Sequence, residues 1–523
     1  MARFYIENFG CRATQADGAA LERQFLERGL ERASAAGDAE IVVLNTCTVT
    51  EGADKDARAS IRRLQRVNPD CRILVTGCYA QRAPEELAAL PGVTWVVGNS
   101  HKHQAAEIAA SSSFPAAGSS SSPGFVPLRQ LSLGRLSNDQ LSGDRFSNVI
   151  VGDIFAHTEL LAAPVFEAAN ERTRPNLKVQ DGCDNRCSFC VIPYVRGQSR
   201  SLPRERVIAE VRTLVEAGYR EVVISGINLG RWGRDLEGSS QLSAVSSQLK
   251  PTTNDQRLES LIRAILDRTS LEKLRISSVE PMDWSDELIG LVATSGRIAK
   301  HAHVPMQSGS DAVLRRMHRK YRPWHYREKI LKIRAAMPTA AIGADVMVGF
   351  PGETEAEFDE TRRIIEELPF TYLHVFTYSA RPGTPAAEQP GQVPVAVARE
   401  RNRVLREIAS KKKTTFIRSL VGTAVEAITL QSGGGTEFTE ALTDNYLKMK
   451  IPGHHDANRW MDVIVEGMNG EMLIGKPVVD PVPDPAASES RWSGARQPRR
   501  LPVTQEYIQA NKRIDRQPFT GLR

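Results

Sequence analysis

Short apolar runs alternate with stretches of helical spacing over the first hundred residues. The runs ARFYIENFG, AEIVVLNT, CRILVTG and VTWVVG have the length and the β-branched content of buried strands. Between them, apolar residues recur every three or four positions, as in ADKDARASIRRLQRV, which indicates amphipathic helices. This alternation predicts a doubly wound parallel sheet, which we assign to an N-terminal domain of residues 1–106.

Six further strand–helix units follow in residues 169–410. The strand candidates run from NLKVQ to TYLHVFTYS, and helical stretches such as ERVIAEVRTLVEAG follow most of them. Six units in series predict a partial (β/α)6 barrel, smaller than the eight-unit closed form. Within this region the Ser-rich segment 237–256 is typical of a surface insertion.

The period of the apolar pattern changes to two near the C-terminus. The runs TAVEAITL, EALTDNYLKMKI, WMDVIVEGM and EMLIGKPV predict a small antiparallel β-barrel, which we place at residues 412–482. Two segments show neither the helical period nor the period of two. Residues 107–168 form a Ser/Gly/Pro-rich insertion and linker that we expect to be disordered, and residues 483–523 form a basic tail.

Charge is concentrated at the C-terminal end of the chain. The net charge of the 523 residues is +6, and residues 486–523 contain eight Arg or Lys against three Asp or Glu. Such a tail is either a solvated end or a contact for nucleic acid. No secretory signal and no apolar run of membrane-spanning length is evident, so we expect a cytoplasmic protein with no membrane partner.

Seven cysteines carry the clearest chemical signal. An odd number argues against a disulfide framework and favours metal ligation or catalysis. Cys183, Cys187 and Cys190 lie in one loop, CDNRCSFC, after the strand NLKVQ. Three thiolates can hold a [4Fe–4S] cluster and leave one iron open to another ligand. The alternatives are an incomplete zinc site or a coincidence of buried cysteines.

A second set of cysteines follows three strands of the N-terminal sheet. Cys11, Cys47 and Cys78 each stand where a predicted strand ends. Because the carboxyl ends of parallel strands share one edge of a sheet, these residues should converge and offer three thiolates to a second cluster. The alternative is three small buried apolar residues. Cys71 stands at a strand start, on the opposite edge, and we assign it no role.

These motifs resemble a known family over nearly the whole chain, apart from the two insertions and the tail. The loop CDNRCSFC resembles the signature of the radical S-adenosylmethionine superfamily, and FGC, NTCTVT and VTGCYAQ extend the resemblance to the methylthiotransferases. The resemblance implies that the three loop cysteines hold the cluster that cleaves S-adenosyl-L-methionine to a 5′-deoxyadenosyl radical. It also implies that the three strand-end cysteines hold an auxiliary [4Fe–4S] cluster that carries the sulfur, and that the small barrel is an RNA-binding TRAM domain.

The resemblance also implies a cofactor pocket at the ends of the barrel strands. Its expected residues are Phe189, Ser225, Gly226, Asn228, Ser278, Glu280, Gln307, Ser308 and Asp345, with the turn residues Gly309, Gly349, Pro351 and Gly352 beside them. For each of them the alternative is ordinary turn chemistry. Arg196 and Arg200 either present guanidinium groups to a phosphate or carboxylate or belong to a solvated loop.

The substrate expected from the resemblance is an adenosine of tRNA. QSGSDAVLRRMHRKY and HVFTYSARPGTPAA are most similar to the branch that modifies N6-threonylcarbamoyladenosine at position 37, beside the anticodon. The other branches act on N6-isopentenyladenosine in tRNA or on an aspartate of a small-subunit ribosomal protein. A non-enzymatic iron–sulfur RNA-binding or sensor protein is a further alternative.

The implied partners are the tRNA anticodon loop, an electron donor and a sulfur donor, the last two unidentified. Tyr446, Lys448 and Lys450 suit RNA binding by stacking and charge. The run Cys11-Arg12-Ala13-Thr14-Gln15 departs from the family, which often has Asn shortly after the first cysteine. This departure affects the surroundings of the sulfurs rather than ligation itself.

Overall fold

The computed structural model describes residues 2–110, 148–157, 160, 174–236, 257–431 and 437–478. The predicted surface insertion at 237–256, the basic tail and most of the Ser-rich linker lie outside these ranges. Within them, no helix combines the length and the apolar character needed to cross a membrane.

The N-terminal region is a parallel sheet of six strands in the order β2-β1-β3-β4-β5-β6. The strands are β1 Arg3–Asn8, β2 Glu31–Arg32, β3 Ile41–Thr46, β4 Arg72–Gly77, β5 Val93–Gly98 and β6 Val149–Ile150. The helices are α1 Arg12–Glu27, α2 Glu51–Val67, α3 Cys78–Arg82, α4 Pro84–Ala88 and α5 Ala105–Ala110. Strand β6, from the predicted linker, pairs with β5.

Apolar side chains on both faces of this sheet make it doubly wound, as predicted. Val42 and Leu44 of β3 pack into a core that includes Ile61 of α2. Their neighbours Ile41 and Val43 point to the other face, into a core formed with α1 and α5. Alternate residues of a strand face opposite sides, so a strand that is apolar at every position requires helices on both sides.

The central region contains six parallel strands arranged as a partial barrel. They are β7 Asn176–Asp181, β9 Glu221–Gly226, β10 Lys273–Ile276, β11 His301–His303, β12 Ala341–Val348 and β13 Tyr372–Thr377, and β8 Arg200–Ser201 pairs antiparallel with β7. The order is β10-β9-β7-β8 in one sheet and β11-β12-β13 in the next. A parallel bridge from Leu274 to Ile298 links the two sheets. The predicted (β/α)6 architecture is confirmed.

Helices cover the outer face of these strands. They are α7 Arg204–Glu216, α8 Leu258–Arg268, α9 Asp286–Thr294, α10 Asp311–Arg316, α11 Pro323–Ala336 and α12 Glu355–Glu367, whereas the short helix α6 Ile192–Arg196 packs against the N-terminal region. Alternate strand residues such as Ala302 and Val304 join the apolar core beneath the helices. The intervening residues, including His301 and His303, therefore face the lumen of the barrel, which is lined by polar side chains.

The C-terminal region is a closed barrel of five strands in the order β14-β15-β16-β18-β17. The strands are β14 Ala424–Thr429, β15 Phe438–Thr443, β16 Lys448–Pro452, β17 Trp460–Asn469 and β18 Met472–Pro477. Pairing is antiparallel except between β16 and β18, which are parallel. The run EALTDNYLKMKI, grouped together by its period of two, forms two strands because a turn containing Tyr446, with φ of 71°, interrupts it.

One long helix joins the central and C-terminal barrels. Helix α13, Val395–Ser419, buries Leu405 in the central core and Ile417 in the core of the small barrel. The predicted domain boundary at residues 410–412 lies inside this helix. The two barrels therefore share a continuous element, and the exact domain limits stay a prediction.

Candidate iron–sulfur and cofactor site

The strand-end cysteines lie together at one edge of the N-terminal sheet. Cys11 follows β1 and is exposed, Cys47 follows β3 and is buried, and Cys78 opens α3 directly after β4. Strands β1, β3 and β4 are neighbours in the sheet. The predicted convergence is therefore present, and Cys71 lies at the start of β4, at the opposite edge.

Two glycines allow this convergence. Gly10 has φ of 93°, and a Cβ atom there would stand 2.8 Å from the Sγ of Cys47. Gly77 has φ of 100°, and its Cβ atom would stand 2.3 Å from the backbone oxygen of Thr46. Any larger residue would push the cysteine loops apart, because such contacts are too short and this backbone region disfavours residues with a Cβ.

The crowding of these thiols fits metal binding. Burial, together with the neighbouring Cys78 and Cys11 thiols, raises the pKa of Cys47 to about 12. Three thiolates crowded in this place require a cation that replaces their protons. The donor set therefore suits an iron–sulfur cluster, to which cysteine binds as thiolate.

The loop cysteines follow β7, at the carboxyl end of the central barrel. The backbone N–H of Cys183 donates to the oxygen of Gly197 at 3.0 Å, and that of Cys190 donates to the oxygen of Cys187 at 3.1 Å. Burial and the neighbouring Cys187 raise the pKa of Cys190 to about 12. This set also suits a metal cluster for the same reason.

Two side chains outside the loop donate hydrogen bonds to its sulfurs. Asn228 Nδ2 lies 3.7 Å from the Sγ of Cys183. Arg319 donates to the Sγ of Cys187 at 3.3 Å and also pairs with Glu280. Donors to cluster sulfurs stabilise the more reduced, more negative state of a cluster.

Helix α6 connects the two cysteine sets. It begins two residues after Cys190, and Val191 and Val195 pack against Cys78. Asn99 Nδ2 donates to the backbone oxygen of Val195 at 2.7 Å and lies 3.6 Å from the Sγ of Cys78. One short helix therefore fixes the separation between the loop set and the strand-end set.

A buried ionic network lies beside this helix. Arg196 donates to Asp17 and to Asp181, both at 3.0 Å. Lys102 pairs with Asp17 at 2.9 Å, and Lys178 pairs with both aspartates. Three buried cations face two carboxylates, so the network favours an anionic group nearby, and a cluster bound by three thiolates is anionic.

The contacts of Arg196 and Arg200 test the two interpretations that the sequence left open for these residues. Arg196 is buried and its partners are carboxylates of the protein itself, so the solvated-loop alternative is wrong for this residue. Arg200 is half-buried and donates to backbone oxygens, including that of Arg196 at 2.9 Å. Both side chains hold the fold around the cysteines.

Several predicted cofactor residues carry buried oxygens without partners. Within the described residues, Ser225 Oγ, Asn228 Oδ1 and Gln307 Oε1 have no hydrogen-bond partner. Gln307 also has φ of 63°, a strained conformation for a residue with a Cβ. Orphaned polar atoms at strand ends fit a polar ligand such as S-adenosylmethionine, because burial without a partner is costly.

Other predicted cofactor residues are engaged by the protein. Phe189 packs edge-on against Phe350, with ring centroids 6.4 Å apart. Ser308 is buried and bonds Thr361 at 3.1 Å, which is a structural contact. Gly226 lies against Gln180, since a Cβ atom there would stand 2.8 Å from the Gln180 side-chain oxygen.

The run ADVMVGFPGET also shows structural contacts. The N–H of Gly349 donates to Glu353 at 2.6 Å, and Arg401 donates to the same carboxylate at 2.9 Å. Thr354 caps helix α12 in a capping box with Glu357. Turn and cap chemistry therefore explains the conformation of this run after Asp345.

A row of rings lines the lumen of the central barrel. Its members are Tyr446, His301, Tyr372, His303 and His374, with successive ring centroids 5.0 to 6.0 Å apart. His301 Nε2 and the Tyr372 hydroxyl are 2.7 Å apart. The row offers stacking surfaces of the kind that bind nucleobases.

Two predicted cofactor residues, Ser278 and Asp345, lie beside His303 of this row. Ser278 Oγ lies 2.6 Å from His303 Nδ1, and His303 Nε2 lies 3.4 Å from Asp345 Oδ1. His303, Asp345 and His374 offer one ligand atom each within 4.8 Å of one another, so this set could also hold a metal ion.

The sequence analysis named Tyr446 but missed Tyr372 and the three histidines of this row, as well as Arg319 and Asn99. The available signal was the spacing of two in HAH and YLH, since polar residues at alternate positions of an apolar strand mark a lumen face. Nothing in the sequence distinguishes the buried Arg319 and Asn99 from the arginines and asparagines at the surface.

Comparison with known proteins is consistent with both cysteine sets. Residues 3–98 match the family described as Uncharacterized protein family UPF0004, and residues 177–365 match the Radical SAM superfamily. The chain is 36% identical over 459 residues to "Threonylcarbamoyladenosine tRNA methylthiotransferase MtaB" of Bacillus subtilis, covering 87% of this chain and 92% of the relative.

Two further relatives show the same extent of similarity. The protein of the same name from Aquifex aeolicus is 32% identical and is covered over 99% of its length by 88% of this chain. A "tRNA-2-methylthio-N(6)-dimethylallyladenosine synthase" of Erythrobacter litoralis is 32% identical, with 82% of this chain and 87% of the relative covered. The similarity extends across all three regions of the fold.

Proposed function

Because this chain belongs to the radical S-adenosylmethionine methylthiotransferases of tRNA, we propose that it modifies C2 of N6-threonylcarbamoyladenosine at position 37, beside the anticodon. The product is 2-methylthio-N6-threonylcarbamoyladenosine. Relatives named for this substrate reach 36% identity, against 32% for one named for dimethylallyladenosine. The enzyme class follows from the family, and the substrate is the part that we propose.

We propose that the chain holds two [4Fe–4S] clusters. The observation that carries this proposal is the presence of two separate sets of three thiols, joined by helix α6. In this proposal the loop set binds the cluster that cleaves S-adenosylmethionine, and the strand-end set binds the cluster that presents sulfur. Each set leaves one iron free for the ligand on which its chemistry depends.

The cofactors supply the difficult chemistry: a 5′-deoxyadenosyl radical that removes the hydrogen at C2, sulfur, and a methyl group from a second S-adenosylmethionine. The chain's own residues bind, orient and shield the reactants. Asn228 and Arg319 donate to the loop sulfurs, and the orphaned oxygens of Ser225 and Gln307 are placed to bind polar groups of the cofactor. The ring row offers the surface against which the adenine would stack.

The proposed RNA partner is the tRNA anticodon loop. Its bases are easily splayed, so entry of the adenosine into the barrel lumen costs little. Lys448 and Lys450 are exposed on β16 and are free to meet the phosphate backbone, with Lys450 over the ring of Phe438 at 6.0 Å. The reaction also needs an electron donor and a sulfur donor, which we assign to partners of the enzyme.

Mass spectrometry of nucleosides in tRNA from a deletion strain tests the substrate. We expect 2-methylthio-N6-threonylcarbamoyladenosine to disappear and its unmethylthiolated precursor to accumulate. Undiminished product would refute the assignment. Loss of a methylthiolated isopentenyladenosine instead, or loss of a methylthio group from a small-subunit ribosomal protein, would establish one of the alternative substrates.

A second assay separates an enzyme from an iron–sulfur sensor. The anaerobically reconstituted protein is incubated with S-adenosylmethionine and a reductant, and 5′-deoxyadenosine is measured by chromatography. We expect its formation to depend on Cys183, Cys187 and Cys190. Intact clusters without any 5′-deoxyadenosine would refute the radical mechanism.

A further inference from the structure

Arg12 lies where the three regions of the fold meet. It directly follows Cys11 of the strand-end set, and its backbone oxygen accepts a hydrogen bond from Asn176 at the start of β7. Its guanidinium donates to the hydroxyl of Tyr446, in the C-terminal barrel, at 3.1 Å. The Arg12 side chain therefore stands beside the proposed sulfur-bearing cluster and at the end of the ring row.

Arg12 differs from the other arginines around Tyr446. Arg174 and Arg275 also lie over this ring, and both pair with the carboxylate of Glu221. Arg12 has no carboxylate within 4.0 Å among the residues that the structure describes. Its hydrogen bond to a neutral hydroxyl leaves most of its donors and all of its charge available.

The rest of the ring row offers Arg12 no counter-charge. Burial, with Arg275, His303 and Arg12 beside it, lowers the pKa of His301 well below the ordinary value. Burial also lowers the pKa of His374, an effect that Arg12 and His303 increase and Asp345 opposes. These shifts favour the neutral forms of His301 and His374, so the two rings add no positive charge that would compete with Arg12 for an anionic group.

We propose that Arg12 binds the carboxylate on the N6 substituent of the substrate and thereby selects threonylcarbamoyladenosine over adenosines with apolar substituents. This inference rests on the proposed function. In adenine, C2 and C6 are both bonded to the ring nitrogen N1, and C6 carries the N6 amine. A base that presents C2 to the strand-end cysteines therefore places its N6 substituent within reach of the residue that follows Cys11.

The chemistry of this contact gives selectivity in both directions. A guanidinium binds a carboxylate through two parallel hydrogen bonds, which are strong and fix its orientation. An isopentenyl group in the same place would remove water from Arg12 and leave its charge without a partner, which is unfavourable. Tyr446 holds the guanidinium in position, and its own φ of 71° shows that tertiary contacts fix the turn.

The test is a comparison of two enzymes with two substrates. Reconstituted wild type and Arg12→Gln are each given anticodon stem-loop RNA that carries N6-threonylcarbamoyladenosine or its neutral carboxamide. We expect wild type to prefer the carboxylate roughly 10- to 100-fold in kcat/KM, and Arg12→Gln to react with both RNAs at similar rates. Arg28→Gln, at the exposed far end of α1, serves as the matched control and should keep the preference.

The outcomes separate this inference from the proposed function. An Arg12→Gln enzyme that keeps the preference for the carboxylate overturns the inference, as does a wild-type enzyme that shows none. Methylthiolation of an isopentenyladenosine RNA alone would overturn the proposed substrate as well.

Iron content and 5′-deoxyadenosine formation are measured for every variant, and an iron content equal to that of wild type shows that Arg12→Gln has lost a substrate contact and not a cluster. If that variant loses iron, Arg12→Lys replaces it. Lysine keeps the charge but not the paired donors, so an intermediate preference supports the inference and an unchanged one refutes it.

Discussion

Arg319 shows how one residue acts on the loop cysteines from a distant part of the sequence. It lies beyond helix α10, yet its guanidinium joins the Sγ of Cys187 to the carboxylate of Glu280. Burial would lower the pKa of Arg319, but Tyr321, Glu280 and Cys187 hold it above the ordinary value, so the side chain stays charged. A fixed positive charge beside a cluster favours addition of an electron.

We therefore expect Arg319→Gln to lower the midpoint potential of the loop cluster by roughly 65–130 mV, which in a one-electron couple corresponds to the about 1.5–3 kcal/mol of a charged hydrogen bond. Redox titration followed by electron paramagnetic resonance measures this shift. Arg315→Gln is the control, because Arg315 is exposed and pairs with Asp311 on the same helix. Equal potentials in the Arg319 variant and wild type would show that the hydrogen bond does not reach a cluster ligand.

Iron content tests which cysteines are ligands. We expect about eight iron atoms per chain after anaerobic reconstitution and about four when Cys183, Cys187 and Cys190 are all replaced by Ala. Cys71→Ala should keep about eight, because Cys71 packs in the apolar core at the opposite sheet edge. A colorimetric iron assay decides the matter: eight atoms in the triple variant, or four in Cys71→Ala, would contradict the assignment.

At the scale of elements, helix α1 attaches the N-terminal sheet to the central barrel. Its residue Asp17 binds Lys102 from the turn after β5, and Lys178 and Arg196 from the central region. Burial would raise the pKa of Asp17, but these three cations hold it below the ordinary value. Removal of Asp17 would leave buried cations uncompensated, which is far costlier than loss of a surface ion pair.

We expect Asp17→Asn to lower the free energy of unfolding by about 3–5 kcal/mol at pH 7. A carboxyl with a depressed pKa stabilises the folded state above its unfolded pKa, and this stability is lost as the pH falls. The difference between variant and wild type should therefore shrink below about pH 4. Urea unfolding at pH 7 and at lower pH measures it.

Glu107→Gln provides the control for this comparison. Its partner Arg28 is exposed just after the C-terminal end of α1, so the stability of this variant should match wild type. A difference for Asp17→Asn that stays constant with pH would show that packing, and not charge, is what Asp17 contributes.

At the scale of the whole molecule, the C-terminal barrel contributes a residue to the candidate site. Tyr446 lies against Arg12 and His301, at the end of the ring row. Lys448 and Lys450 remain on the outside of β16. Tyr446 of the small barrel therefore lies at the lumen of the central barrel, whereas Lys448 and Lys450 are exposed to solvent.

We expect replacement of both Lys448 and Lys450 by Gln to weaken tRNA binding about tenfold. The slope of log Kd against log salt concentration should fall by about 1 to 2, because binding with fewer phosphate contacts releases fewer counterions. Filter binding over a range of salt concentrations measures both. The double variant of Lys329 and Lys332, which pair with Asp286 on the outer helices, removes the same charge and should leave the slope unchanged.

The predictions that held share a physical basis. Strands and helices of all three regions could be read from the sequence, because a period of two or near four records which faces are buried. The contacts of individual cofactor residues could not. Ser308 and Ser225 are both serines at strand ends, yet Ser308 bonds Thr361 whereas Ser225 has no partner among the described residues. Turn chemistry and ligand chemistry use the same residue types.

The sequence alone was sufficient to predict two sets of cysteines. Three cysteines share a loop, and three follow neighbouring parallel strands, so local spacing and sheet geometry assign each cysteine to its set. Only the tertiary structure decided how the sets are joined and what surrounds them: helix α6 against Cys78, the network around Asp17, and Arg12 beside Tyr446, 434 residues apart in the sequence. Such contacts depend on how separate regions pack together, and no pattern within one region records them.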